Sequence, residues 1–201
     1  SKDAPMSFPG EVIGCAVAAV IAIVLIQVIG FEDPASKTES AVTGQISGTA
    51  NAVKTVASPL VGQVIPLSEV NDPVFASEAM GKGCAVIPTE GKVYAPFDGT
   101  IVGLLDSHHA VGMESENGIE ILIHVGMDTV KLNGKHFTCH IEDGQHVKCG
   151  QLLLEFDIDA IKKEGYEVVT PIVITNSDEF TEITTEAAGQ VKNGDELLKL
   201  K

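Results

Sequence analysis

Six histidines fall within one stretch of this chain, at positions 108, 109, 124, 136, 140 and 146. Imidazole has a proton affinity near neutrality, so it can serve as nucleophile, proton carrier or metal ligand. Clustering in sequence says little by itself, because a solvated or satisfied histidine is the commoner case at any one position. His124 stands out. It interrupts Ile121-Leu-Ile-His124-Val-Gly126, a run that otherwise reads as a buried strand, where a ring needs partners for both nitrogens. The segments HAVGMES (109–115) and GIEILIH (118–124) flank Glu116-Asn117 in the arrangement of a β-hairpin. With Ser115 facing Gly118, His109 sits directly opposite His124; with Asn117-Gly118 as a two-residue turn, it sits diagonally. Both registers put the two rings on one face, since strand side chains alternate, whereas a three-residue loop separates them. Two neighbouring imidazoles support two chemistries. One ring can attack a phosphoryl group while the other donates to its oxygens, or the pair can begin a zinc site completed by a carboxylate or water. His108, His136, His140 and His146 lack comparable geometry and are expected at the surface.

The elements that must hold such a pair are short strands. From Pro59 onward, apolar runs such as VGQVIPL, KVYAPFDGTIVGLL, GQLLLEFDI and VVTPIVIT alternate with the turn signals Pro96-Phe97-Asp98-Gly99, Glu116-Asn117-Gly118, Asn133-Gly134 and Asn193-Gly194-Asp195. This spacing predicts an all-β fold, an antiparallel β-sandwich or barrel-like closure with short helical turns. One helix is expected near Asp157–Lys163, with the aspartate capping IDAIKK. Cys15, Cys84, Cys139 and Cys149 form no C-x-x-C pair, so reduced thiols are expected rather than a disulfide framework.

Upstream the composition changes. Residues 12–31 contain no charge and show no polar stripe at helical spacing; twenty such residues span roughly 30 Å as a helix, so a transmembrane α-helix is expected there. Residues 33–58, rich in Ser, Thr, Ala and Gly, read as a flexible linker, leaving a domain over 59–201. The chain of 201 residues carries 13 lysines, no arginine and 28 acids, a net charge of −15. That balance disfavours a nucleic-acid partner, which would require a basic patch, and it would steer a cationic one.

The segment Gly118-Ile-Glu-Ile-Leu-Ile-His124-Val-Gly-Met-Asp128-Thr129-Val130 closely resembles the phosphohistidine signature of enzyme IIA domains of the glucose/β-glucoside class in the bacterial sugar phosphotransferase system. Asp72-Pro-Val-Phe75, Pro88-Thr89-Glu90-Gly91, Ala95-Pro96-Phe97-Asp98-Gly99-Thr100, His109, Leu154-Glu155-Phe156-Asp157 and Thr170-Pro171 extend the resemblance over nearly all of 60–200. The resemblance implies an antiparallel β-sandwich and a phosphoryl relay with no resident cofactor. His124 matches the residue that accepts phosphate from the phosphocarrier protein HPr and passes it to a cysteine of a IIB domain. His109 matches the second active-site histidine, which orients the phosphoryl group, and Ser107 falls where the family often has a threonine hydroxyl. Phe75, Leu105 and Leu122 would form an apolar surround, with Asp72 and Asp128 an acidic rim for a basic carrier. Residues 1–32 would end a membrane IIC domain in a B-C-A permease, placing the IIA domain in the bacterial cytoplasm. A regulatory module that binds partners according to its phosphorylation state, and a zinc-binding domain using His109 and His124, stand as alternatives.

Overall fold

The computed structural model describes residues 54–201. The predicted transmembrane helix and most of the predicted linker lie outside these residues. Among the described residues no helix is long and apolar enough to cross a membrane. They form β1 (Lys54–Ala57), β2 (Gly62–Pro66), the short helix α1 (Pro73–Ala76), β3 (Lys82–Pro88), β4 (Lys92–Tyr94), β5 (Gly99–Leu104) and β6 (Ala110–Ser115). There follow β7 (Glu120–His124), β8 (Phe137–Cys139), β9 (His146–Val147), β10 (Leu152–Phe156) and the helix α2 (Ile158–Lys163). The last strands are β11 (Thr170–Ile174), β12 (Ile183–Thr185), β13 (Gly189–Val191) and β14 (Glu196–Leu200).

The expected all-β architecture is observed. Eight strands form one antiparallel sheet in the order β13-β2-β3-β11-β7-β6-β5-β9, and two three-stranded sheets, β1-β14-β12 and β4-β10-β8, accompany it. One buried cluster joins all three: Val86, Ile101, Ile123 and Ile172 from the large sheet, Val93 and Leu154 from the second, and Val56 and Leu198 from the third. Alternation decides which side chains enter it. On β7, Ile121 and Ile123 are buried in this core, while Glu120, Leu122 and His124 point to the opposite face.

That opposite face is partly roofed by the segment between β2 and β3. A second cluster, comprising Leu67, Val70, Phe75, Ala85, Met127 and Val173, packs there. Its helix α1 starts as capping chemistry dictates: the Asp72 carboxylate accepts from the N–H groups of Val74 at 2.8 Å and Phe75 at 3.2 Å, with Pro73 in the first position. The predicted helix near Asp157 also forms, with Asp157 accepting from the Ala160 N–H at 2.9 Å.

One boundary is corrected. Residues 54–57, assigned by composition to the linker, form β1, which pairs with β14 from Lys54 opposite Leu200 to Ala57 opposite Glu196. Lys-Thr-Val-Ala offers a single large apolar residue, Val56, so its composition resembles a tether although that valine is fully buried. Cys84 is buried, Cys139 half-buried and Cys149 exposed, all three as free thiols; burial pushes the Cys84 thiol up to about 12, which keeps it protonated.

Candidate functional site

His124 ends β7, and His109 lies in the bend just before β6. The hairpin register between these strands differs from both registers that would face the two rings. Ala110 pairs with His124, Val111 with Ile123 and Glu114 with Glu120, and the Ser115 N–H donates to the Ile119 carbonyl at 2.9 Å. Glu116-Asn117-Gly118 is therefore a three-residue loop, closed by Gly118 in the left-handed region at φ 77°. Strict alternation from this register would turn His109 toward the core with Val111, away from His124. The rings meet nonetheless, with centroids 4.8 Å apart and planes at 83°. His109 escapes the pleat because it precedes the strand and follows His108, whose φ of 50° redirects the chain.

Hydrogen bonds then fix the pair. The Val125 N–H donates to the His109 carbonyl at 2.7 Å, tying the two histidine segments together. Ser107 Oγ lies 2.7 Å from His109 Nδ1 and anchors that ring from behind. The loop carrying Ser107 rests on the Asn133-Gly134 turn, where a Cβ on Gly134 would stand 3.4 Å from the Asp106 carbonyl. Phe75, delivered by α1, lies with its ring 5.2 Å from that of His124.

Both imidazoles are biased toward the neutral form. Burial, and secondarily the neighbouring His124 ring, pushes His109 down to about 3. Burial also lowers His124, opposed in turn by the Gly126 backbone, Asp72, the backbone of His124 itself and Asp128. These backbone groups favour a ring proton without completing a well-formed hydrogen bond, because Nδ1 of His124 is buried with no partner. The residue as a whole is half-buried, although desolvation dominates its proton affinity.

The remaining predicted residues fall into place unevenly. Leu122 shares the outer face of β7 and packs against the second cluster. Leu105 is half-buried in the loop after β5, where its carbonyl accepts from the His108 N–H at 2.8 Å. Asp72 and Asp128 act on His124 through space, but neither is a bare acid: Asp72 caps α1, and Asp128 pairs with Lys131 at 2.9 Å. His140 and His146 are exposed and face Glu155 at 2.9 Å and Glu116 at 3.9 Å. His108 and His136, expected at the surface, are half-buried. Among the described residues no three His, Cys, Asp or Glu side chains converge to hold a metal, so a zinc on the histidine pair would need a donor from outside the chain or water. Sequence reasoning missed the role of Thr129, which is fully buried and donates to the Val125 carbonyl at 2.5 Å; only its place five residues after His124 pointed to it.

Residues 54–180 match the family model described as phosphoenolpyruvate-dependent sugar phosphotransferase system, EIIA 1. The chain belongs to this family. The glucose-specific EIIA component of Bacillus cereus is 45% identical over 154 residues, covering 76% of this chain and 93% of that protein. A β-glucoside-specific EIIBCA component of Dickeya chrysanthemi is 49% identical over 160 residues, or 79% of this chain and 25% of that protein. The chain thus spans about a quarter of such EIIBCA relatives. The structure of the glucose permease IIA from Mycoplasma capricolum superimposes with a TM-score of 0.71 at 34% identity, covering 75% of this chain and 97% of that one.

Proposed function

We propose that residues 54–201 are the phosphoryl-carrier domain of a sugar phosphotransferase system, with His124 as the group that carries the phosphate. The observation that carries this reading is a pair of imidazoles in edge contact, a half-buried His124 and a buried His109 held by Ser107, within a member of the EIIA family. An Nε2 lone pair on His124 attacks the phosphorus of phosphorylated HPr; the P–N bond on the donor breaks as the new P–N bond forms. A cysteine thiolate of a IIB domain then attacks the same phosphorus and restores neutral His124. The Ser107 hydroxyl, donating to Nδ1 of His109, leaves the His109 proton on Nε2 to bond the phosphoryl oxygens, and burial spares that ring the competing uptake of a proton. Phe75 and Leu122 supply apolar contact beside the reacting ring.

The likeness to EIIBCA components supports placing IIB and IIC domains in the same polypeptide, with the uncharged window 12–31 in its membrane portion and the IIA domain on the cytoplasmic side. The test is to incubate the chain with phosphoenolpyruvate, enzyme I and HPr and to measure acid-labile phosphate. Wild-type label with none on His124→Ala is expected; undiminished label on that variant rejects the assignment.

A further inference from the structure

Val125, the residue after His124, is held from two sides. Its N–H donates to the His109 carbonyl at 2.7 Å, and its carbonyl accepts from the Thr129 hydroxyl at 2.5 Å. Thr129 is fully buried. The methyl of Thr129 fills the space beside Gly126, where an added Cβ would stand 2.6 Å from Thr129 Cγ2 and 2.5 Å from the Glu167 carbonyl oxygen. On the other side the turn is pinned by the Gly126 N–H to the Val169 carbonyl at 3.1 Å and the Met127 N–H to the Glu167 carbonyl at 3.0 Å. A valine would occupy nearly the same volume at this site, so what threonine adds is the hydroxyl. That hydroxyl ties down the backbone of Val125, the same residue whose N–H holds the His109 carbonyl.

We infer that Thr129 is a positioning residue for phosphoryl transfer: through the Val125 carbonyl its hydroxyl fixes the separation and angle of the His109 and His124 rings. This rests on the proposed function of His124. Transfer between fixed groups tolerates roughly 0.5 Å of misplacement, and the wrong position of a reacting ring costs rate without weakening the docking of the donor.

The test compares Thr129→Val and Thr129→Ser in the full chain by two readouts. One is transfer from phosphorylated HPr, resolved into kcat and KM; the other is the ring ¹⁵N chemical shifts of His109 and His124 without any phosphate donor. Thr129→Val is expected to lower kcat about tenfold with KM little changed, the scale of one lost hydrogen bond, and to move both sets of ring shifts. Thr129→Ser keeps the hydroxyl and is expected to match the wild type in both. A valine variant that loses thermal stability while keeping kcat and ring shifts overturns the inference, since Thr129 then only satisfies a buried carbonyl. Should that variant not fold, the serine variant decides: wild-type rate and shifts support the inference, and a slow enzyme with displaced shifts refutes it. If the wild-type chain takes no phosphate on His124, the proposed function fails, whereas the ring shifts still judge the hold of Thr129 on the two rings.

Discussion

His109 couples the chemistry of the site to the stability of the protein. An exposed histidine takes up a proton near 6.5, whereas burial, aided by the His124 ring, delays this in the folded chain to about 3. Between those pH values the unfolded state binds the extra proton, so stability is full above pH 6.5 and falls as the medium is acidified. The slope contributed by His109, which is 3 % exposed, is about 1.4 kcal/mol per pH unit. Urea unfolding of the wild type and His109→Gln at several pH values between 7 and 4 should show a shallower loss in the variant by about that amount; parallel curves would mean that the ring titrates normally in the folded state. His124 is lowered in the same direction and contributes a slope of the same sign. His124 was legible by its type, because it broke an apolar strand that had no other reason to hold an imidazole, whereas the spacing argument for its contact with His109 rested on a register the hairpin does not adopt. Ser107 behind His109 was legible only as a hydroxyl two residues away, and its bond to Nδ1 needed the loop geometry.

Among the elements, the four-residue α1 carries the most chemistry for its length. Asp72 satisfies two of its free N–H groups, and the third helical residue, Phe75, reaches the His124 ring. Asp72→Ala is expected to cost about 1 kcal/mol and to lower Tm by roughly 3 °C for a domain of this size, whereas Asp72→Asn, which still caps, keeps most of the stability. Thermal unfolding of both variants checks this, and equal losses would show that charge rather than capping is at work. The hairpin that brings the histidines together teaches the opposite lesson about elements. Its turn chemistry was visible in Asn117-Gly118, yet the loop holds three residues because Gly118 takes a left-handed conformation that extends the turn by one. Alternation therefore fails as the reason for the contact, which comes from a bend whose cause, the φ of 50° at His108, leaves no trace in residue type.

At the scale of the whole molecule, an acidic β fold with a common core was readable from turn spacing and charge, while its first strand was not, since burial of Val56 depends on β14, some 140 residues away in the chain. A chain beginning at Pro59 lacks that strand and uncovers Leu198 and Leu200, both fully buried. It should unfold at least about 2 kcal/mol more easily than one beginning at Lys54, from the lost burial of one large apolar residue and its neighbours; comparing urea midpoints of the two tests this, and equal midpoints would make β1 an ornament. The pairing of β1 with β14 also sets the two ends of the fold side by side, with Lys54 opposite Leu200, so they are separated by about one strand spacing of 4.8 Å. A unit whose way in and way out coincide can be spliced onto the end of another polypeptide, released as a free-standing protein or inserted into a loop without stretching either partner. Portability of this kind accounts for one sequence matching nearly all of a glucose-specific component and only about a quarter of a much longer one.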